Sequence, residues 1–242
     1  METVLDAGFD FIELSVGVVK PESPDSEFET VSEIIHSSGI APEVWNCLFP
    51  GEMKMVGPEV DSYRIERFLR TAFERIEELG GEVVVFGSGT ARTVPEGFPA
   101  DEAHDQLTRF LKLAGQVAGA HGITIAVEPL NSKDTNSINT ITQAVELVRE
   151  VDHPFVKVLV DSCHMLIENE PISAIAGAAG LIAHSHIADI GRLHPGSGNY
   201  PTREFIEALK AAGYNGRLSV ECLWKNFDIE CGKAYKFLQG LV

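Results

Sequence analysis

The chain has 242 residues, 44% hydrophobic and 23% charged, the balance of an ordinary folded globular protein. A formal net charge of −17 and a pI near 4.8 exclude the basic surface that nucleic acid or an anionic membrane would require. With no apolar run near the roughly 20 residues of a membrane span, no signal-peptide pattern and no CxxC among Cys47, Cys163, Cys222 and Cys231, a cytoplasmic protein with reduced thiols is expected.

Met1-Glu-Thr-Val-Leu-Asp-Ala-Gly8 reads as the second half of a helix closed by a glycine stop. The first predicted strand is Phe9–Val16, where Glu13 supplies a polar tip and is expected in the pocket. Further strands are predicted at Ala41–Leu48, Val83–Phe86, Ile123–Glu128, Val156–Asp161, Leu181–Ile187 and Leu218–Cys222. Between them run amphipathic segments. In Asp61–Leu79, Ile65, Phe68, Leu69, Ala72 and Ile76 recur at helical spacing before Gly80-Gly81, and Asp101 is placed to cap the helix that buries Leu107, Phe110, Leu111, Ala114 and Val117. Gly39, Gly80, Gly122, Gly180 and Gly213 fall at predicted helix ends. This uninterrupted alternation, with no linker or charge block, predicts one parallel α/β domain over residues 1–242, a (β/α)8 barrel.

Seven strands are counted where such a barrel has eight. The chain is therefore expected to lack the first strand, leaving a gap between Phe9–Val16 and Leu218–Cys222. Two open strand edges there would favour self-association into a homo-oligomer. A chain extended upstream by one strand is expected to be more stable and more active.

Four of the predicted strands climb through apolar residues and end on a group able to bind a metal: Glu128, Asp161 with His164 just beyond, His184-Ser-His186, and Glu221. Successive strand residues point to opposite faces, so Thr124 and Ala126 share the face of Glu128 while Ile123, Ile125 and Val127 oppose it. The branched residues are thus assigned to the helix layer and the polar tips to the barrel mouth. Two Glu, one Asp and one His form an oxygen-rich, imidazole-assisted cage for a divalent ion. Gly87-Ser-Gly-Thr-Ala-Arg92 lacks the third glycine of a dinucleotide fingerprint and reads as a rim loop, as does His194–Tyr200. Arg92, Lys133 and Arg192 are the few basic residues near these loops, which favours an unphosphorylated ligand.

The order and spacing of Glu128-Pro-Leu-Asn131, Asp161-Ser-Cys-His164, His184-Ser-His-Ile-Ala-Asp189 with Arg192, Pro195-Gly196 and Val220-Glu221 resemble the xylose isomerase-like TIM-barrel superfamily. Within it they are most similar to the sugar (phosphate) isomerase/epimerase branch of ketose 3-epimerases and hydroxypyruvate isomerases. The resemblance runs from Gly8-Phe-Asp-Phe-Ile-Glu-Leu14 to the last helix. It implies that Glu128, Asp161, His186 and Glu221 hold a divalent metal ion (Mn2+, Co2+ or Mg2+) and that His164, Arg192 and Asp134 contact a sugar. Asp134 stands where ketose epimerases often carry Glu, and Ser132 replaces the Arg that usually follows the Asn of the first motif.

The reaction implied is proton transfer next to a carbonyl through a metal-bound enediolate on a small keto-sugar, with Glu128 and Glu221 as base and acid. His184 shares the parity of His186 but lies deeper and is expected to pack in the barrel. A dehydratase or lyase on a related polyol would begin with the same proton abstraction, and an inactive or truncated relative would keep only the fold. An endonuclease IV-like repair enzyme would need more histidines and a basic groove, which this chain lacks.

Overall fold

The computed structural model describes residues 1–241. Seven parallel strands, β1 (Phe11–Ser15), β2 (Ala41–Asn46), β3 (Val83–Phe86), β4 (Thr124–Val127), β5 (Val156–Asp161), β6 (Ile182–Ile187) and β7 (Leu218–Val220), lie side by side in chain order. Around them are α1 (Glu2–Ala7), α2 (Asp25–Ser37), α3 (Ser62–Glu78), α4 (Gly89–Arg92), α5 (Ala100–Ala120), α6 (Ile141–Val151), α7 (Ser162–Ile167), α8 (Thr202–Ala211) and α9 (Phe227–Gln239). The sheet curls into a nearly closed TIM barrel. Among the described residues β1 pairs only with β2 and β7 only with β6, so the barrel is open between its first and last strands, as predicted.

The two faces of the sheet divide as the strand parity requires. Val44, Val83, Val85, Ala126 and Leu159 fill the barrel interior, with Phe11 and Ala183 against them. Ile123, Ile125, Val127, Val156, Val158 and Val160 join the outer core with helix residues such as Leu69, Phe73, Ile76, Leu111 and Val148. Burying this second face against the helices is the main hydrophobic gain of the fold. The five glycines expected at helix ends all adopt positive φ.

The boundaries differ where side chains are needed elsewhere. β1 begins at Phe11, because Gly8 (φ 101°) turns the chain and Phe9 packs edge-on against Tyr235 with ring centroids 5.1 Å apart. β7 stops at Val220, leaving Glu221 and Cys222 beyond the sheet. Asp101 lies inside the first turn of α5 rather than capping it, where its charge still opposes the helix dipole.

Arg92 departs furthest from expectation. It is fully buried and not at the rim, donating to the carbonyls of Phe86 (3.0 Å) and Glu128 (2.6 Å), with Ile138 O at 3.5 Å. Burial pushes its guanidinium down to about 10, against the pull of the Glu128 carboxylate. Arg92 thus pins the end of β4 from behind. Replacing it with Ala would strand these buried acceptors and empty its volume, at a cost of about 3–5 kcal/mol. Denaturant unfolding of Arg92→Ala would register this as a lower midpoint with an unchanged slope.

Candidate metal centre and active site

Four side chains from four strand ends meet at the mouth of the barrel. The ligand atoms of Glu128, Asp161, His186 and Glu221 all lie within 4.8 Å of one another. Glu128 follows β4 directly, its backbone N–H donating to Phe86 O of β3. A Cβ at Gly87 would collide with Glu128 Oε2, so the glycine makes room for the carboxylate. Asp161 closes β5 and caps α7: its Oδ1 accepts from Cys163 N (2.5 Å) and His164 N (3.0 Å), leaving Oδ2 for the cage. His186 is the register partner of Asp161 on the adjacent strand. Glu221, just past β7, is the most exposed of the four, and its Oε2 accepts from Arg192 Nη2 at 2.6 Å.

The polar bookkeeping of this cluster fits a cation. Glu128 Oε1, Asp161 Oδ2 and His186 Nδ1 are buried and have no hydrogen-bond partner. Nδ1 lies 3.2 Å from Glu128 Oε1, 3.5 Å from Glu221 Oε2 and 3.6 Å from Asp161 Oδ2. Such separations are the edges of a coordination polyhedron with bonds of about 2.0–2.4 Å. Burying several carboxylates together is unfavourable unless a positive charge joins them. Burial, helped by the Glu221 and Asp161 carboxylates, raises the Glu128 carboxyl despite the opposing His186 ring. Asp161 stays below the usual range: burial would raise it, but His186, His164 and a backbone N–H outweigh that.

His186 carries the opposite signal. Burial would lower its ring, yet the Glu13 carboxylate and the Asp161 and Glu128 oxygens hold it well above its ordinary value. An ion at Nδ1 therefore competes with a proton for that nitrogen. Calorimetry in buffers of differing ionisation enthalpy should detect proton release on ion binding that shrinks as pH rises. Apparent affinity should climb about tenfold per pH unit below the raised His186 value and flatten above it.

Above the cluster opens a cavity of about 470 Å3 whose lining includes Glu128, Glu221, His164, Arg192, Asp134 and Lys133. This is the low end of small-molecule pockets. His164 Nδ1 accepts the Asn131 backbone N–H at 3.0 Å, so the neutral ring carries its hydrogen on Nε2, the nitrogen 3.9 Å from Glu128 Oε1. Asn131 Nδ2 lies 2.9 Å from the same Nδ1 and donates to Asp134 Oδ2 at 2.6 Å. Arg192 has φ 60°, a left-handed conformation uncommon outside glycine, and its carbonyl accepts from Leu223 N at 2.6 Å. Ser88, Gly89 and Thr90 of the rim loop also line the cavity.

Three placements were not foreseen. Glu13, expected in the pocket, does not line the cavity: it lies beneath His186, buried against both histidines of β6. In register it stands level with Val44, two residues below the cavity residue Asn46. Asn131, at the end of the Glu128–Asn131 motif, orients His164. Asp189 fixes the loop over the site, its carboxylate accepting from Gly196, Gly198 and Tyr200 N–H at 2.9–3.2 Å. The glycines and the acid are visible in the sequence, but their pairing is not.

Known proteins share this outline. A family model described as xylose isomerase-like TIM barrel matches residues 1–238. The D-psicose 3-epimerase of Ruminiclostridium cellulolyticum is 29% identical over 227 residues, which span 91% of this chain and 76% of that protein. The 3-dehydro-D-guloside 4-epimerase of Escherichia coli is 33% identical over 165 residues, spanning 65% and 62% respectively. The crystal structure of D-psicose 3-epimerase from Clostridium cellulolyticum H10 with D-tagatose superposes with a TM-score of 0.87 over 99% of this chain and 91% of that one. At 24% identity that likeness establishes the fold alone.

Proposed function

This chain belongs to the xylose isomerase-like TIM-barrel family, and from that premise we propose that it is a divalent-metal-dependent epimerase of small, unphosphorylated keto-sugars. The observation that carries the reading is the meeting of three buried, partnerless ligand atoms with Glu221 at the floor of one polar cavity. Glu128, Asp161, His186 and Glu221 would hold the ion, for which Mn2+, Co2+ and Mg2+ suit the mixed oxygen and imidazole set. Once bound, such an ion supplies Lewis acidity to a carbonyl oxygen and the neighbouring hydroxyl.

The rest of the chemistry belongs to the side chains. Glu128 and Glu221 reach the cluster from well-separated strands, so they address a sugar from two sides. One carboxylate takes the proton from the carbon next to the carbonyl, and the other, protonated, returns one to the opposite face, which inverts the centre. His164 offers its Nε2–H to a sugar oxygen, Arg192 a second donor, and Asp134 an acceptor for a distal hydroxyl. The cavity cations are Lys133 and Arg192, and Glu221 already engages the latter, which favours a neutral sugar over a phosphorylated one. The similarity to 3-epimerases and to a 4-epimerase of a keto-glycoside supports the same class of reaction.

The test is a panel of free ketopentoses, ketohexoses, their phosphates and keto-glycosides, incubated with metal-loaded protein and resolved by chromatography. A free keto-sugar converted to its epimer is the expected result. An aldose product or a dehydrated product would replace the epimerase reading with isomerase or dehydratase chemistry, and turnover of phosphates alone would contradict the substrate class.

A further inference from the structure

Beneath the candidate cage lies a second polar layer, none of whose residues lines the cavity. Glu13 of β1 places Oε1 and Oε2 at 3.0 and 3.2 Å from His186 Nε2, and Oε2 at 3.0 Å from His184 Nε2. His184 Nε2 also lies 2.9 Å from Ser219 Oγ of β7. All four side chains are buried or nearly so. We propose that Glu13 is a positioning residue for the metal centre: it locks His186 in the one tautomer and ring orientation that aims Nδ1 at the ion. The inference rests on the metal reading given above.

A carboxylate taking two charge-assisted N–H donors in a buried site is ionised and can only accept. Both imidazole Nε2 atoms facing it therefore carry hydrogen. For His186 this leaves Nδ1 with its lone pair directed into the cage, where Nδ1 is found without a partner. For His184 the same rule assigns Nε2–H, shared with Ser219 Oγ, and leaves its own Nδ1 unprotonated, matching the absence of a partner there. Carboxylates that hold the second nitrogen of a ligating histidine commonly set metal affinity by fixing the ring.

Topology adds weight to this one contact. β1 and β7 share no backbone ladder, so Glu13 reaches His184 and His186 across the open side of the barrel. Across that side no ladder joins β1 to β6 or β7 among the described residues. The side-chain layer therefore links the far edge strand to a ligand that the rest of the cage requires. Glu13, His184 and His186 could themselves surround an ion. That arrangement would strip His186 of both protons, whereas the 3.0 Å separations are those of ordinary N–H···O bonds.

The test uses the full chain titrated with Co2+ or Mn2+ against a chromophoric chelator. The parent should bind one ion per chain. Glu13→Gln, which keeps size but turns an amide toward one of the two N–H groups, should bind one ion about 10- to 100-fold more weakly and show a displaced Co2+ absorption band. A purely structural role would lower the melting temperature and leave affinity and spectrum unchanged, which would overturn the inference. So would a second ion in the parent. Should Glu13→Gln fail to fold, long-range 1H–15N correlation on the Zn2+-loaded parent decides the matter: hydrogen on His186 Nε2 is expected, and hydrogen on Nδ1 refutes it. A parent that binds no ion overturns the metal reading itself, whereas a parent that binds one ion and a variant that binds it equally well overturn only the role of Glu13.

Discussion

Glu128→Gln is expected to epimerise keto-sugars about 10²- to 10⁴-fold more slowly than the parent, because one substitution removes a charged ligand and a proton carrier together. Glu221→Gln should fall in the same range. The two variants separate the roles when studied at saturating metal in D2O. Each retains the carboxylate on one side of the sugar, so each should exchange hydrogen for deuterium only in the epimer whose C–H faces that carboxylate, while forming little of the other epimer. Exchange without inversion, in opposite epimers for the two variants, would assign them as the two halves of a base–acid pair. Near-parental turnover in either would remove that residue from the chemistry. Gln is preferred to Ala here because Gly87 leaves no slack beside Glu128, and a truncated side chain would invite water into the cluster.

The second large effect concerns the ion. Exhaustive dialysis against a chelator should reduce turnover to background, with Mn2+, Co2+ or Mg2+ restoring it; undiminished activity would exclude a metal role. Stability should move in parallel. Without an ion, Glu128 and Asp161 carry buried oxygens with no partner, beside the Glu221 carboxylate. An ion present at a hundred times its dissociation constant adds about 2.7 kcal/mol to folding stability, roughly 5–10 °C in Tm for a chain of this size. The same addition to a Glu128→Ala/Asp161→Ala double variant should shift Tm little.

Much of the fold was legible because strand periodicity and apolar composition are local properties. Val83–Phe86 and Val156–Asp161 are strands with the bounds that their branched runs indicate. The missing partner between β1 and β7 also followed from a count of strands. The candidate ligands were legible for a related reason: polar residues at the ends of apolar strands have only one end of the barrel to occupy. What was not legible depends on contacts between distant segments. Arg92 looks like a loop cation, and only the meeting of the Phe86, Glu128 and Ile138 carbonyls explains why a guanidinium is buried there. Glu13 looks like a pocket residue because it ends a strand on a polar group. Its partners lie 171 and 173 residues away, and the depth of β1 relative to β6 is a matter of barrel stagger that no spacing encodes. The lock of Asn131 on His164 likewise needed the two loops to be brought together.

On the proposed function, Glu128 and Glu221 move a proton at the carbon beside the carbonyl of a bound keto-sugar. Deuterium wash-in tests it most directly. A ketose turned over by the metal-loaded parent in D2O should give an epimer carrying one deuterium, located by NMR at the inverted carbon and nowhere else, with no incorporation after chelation. An epimer formed without solvent deuterium, or incorporation that persists in the chelated protein, would contradict the account.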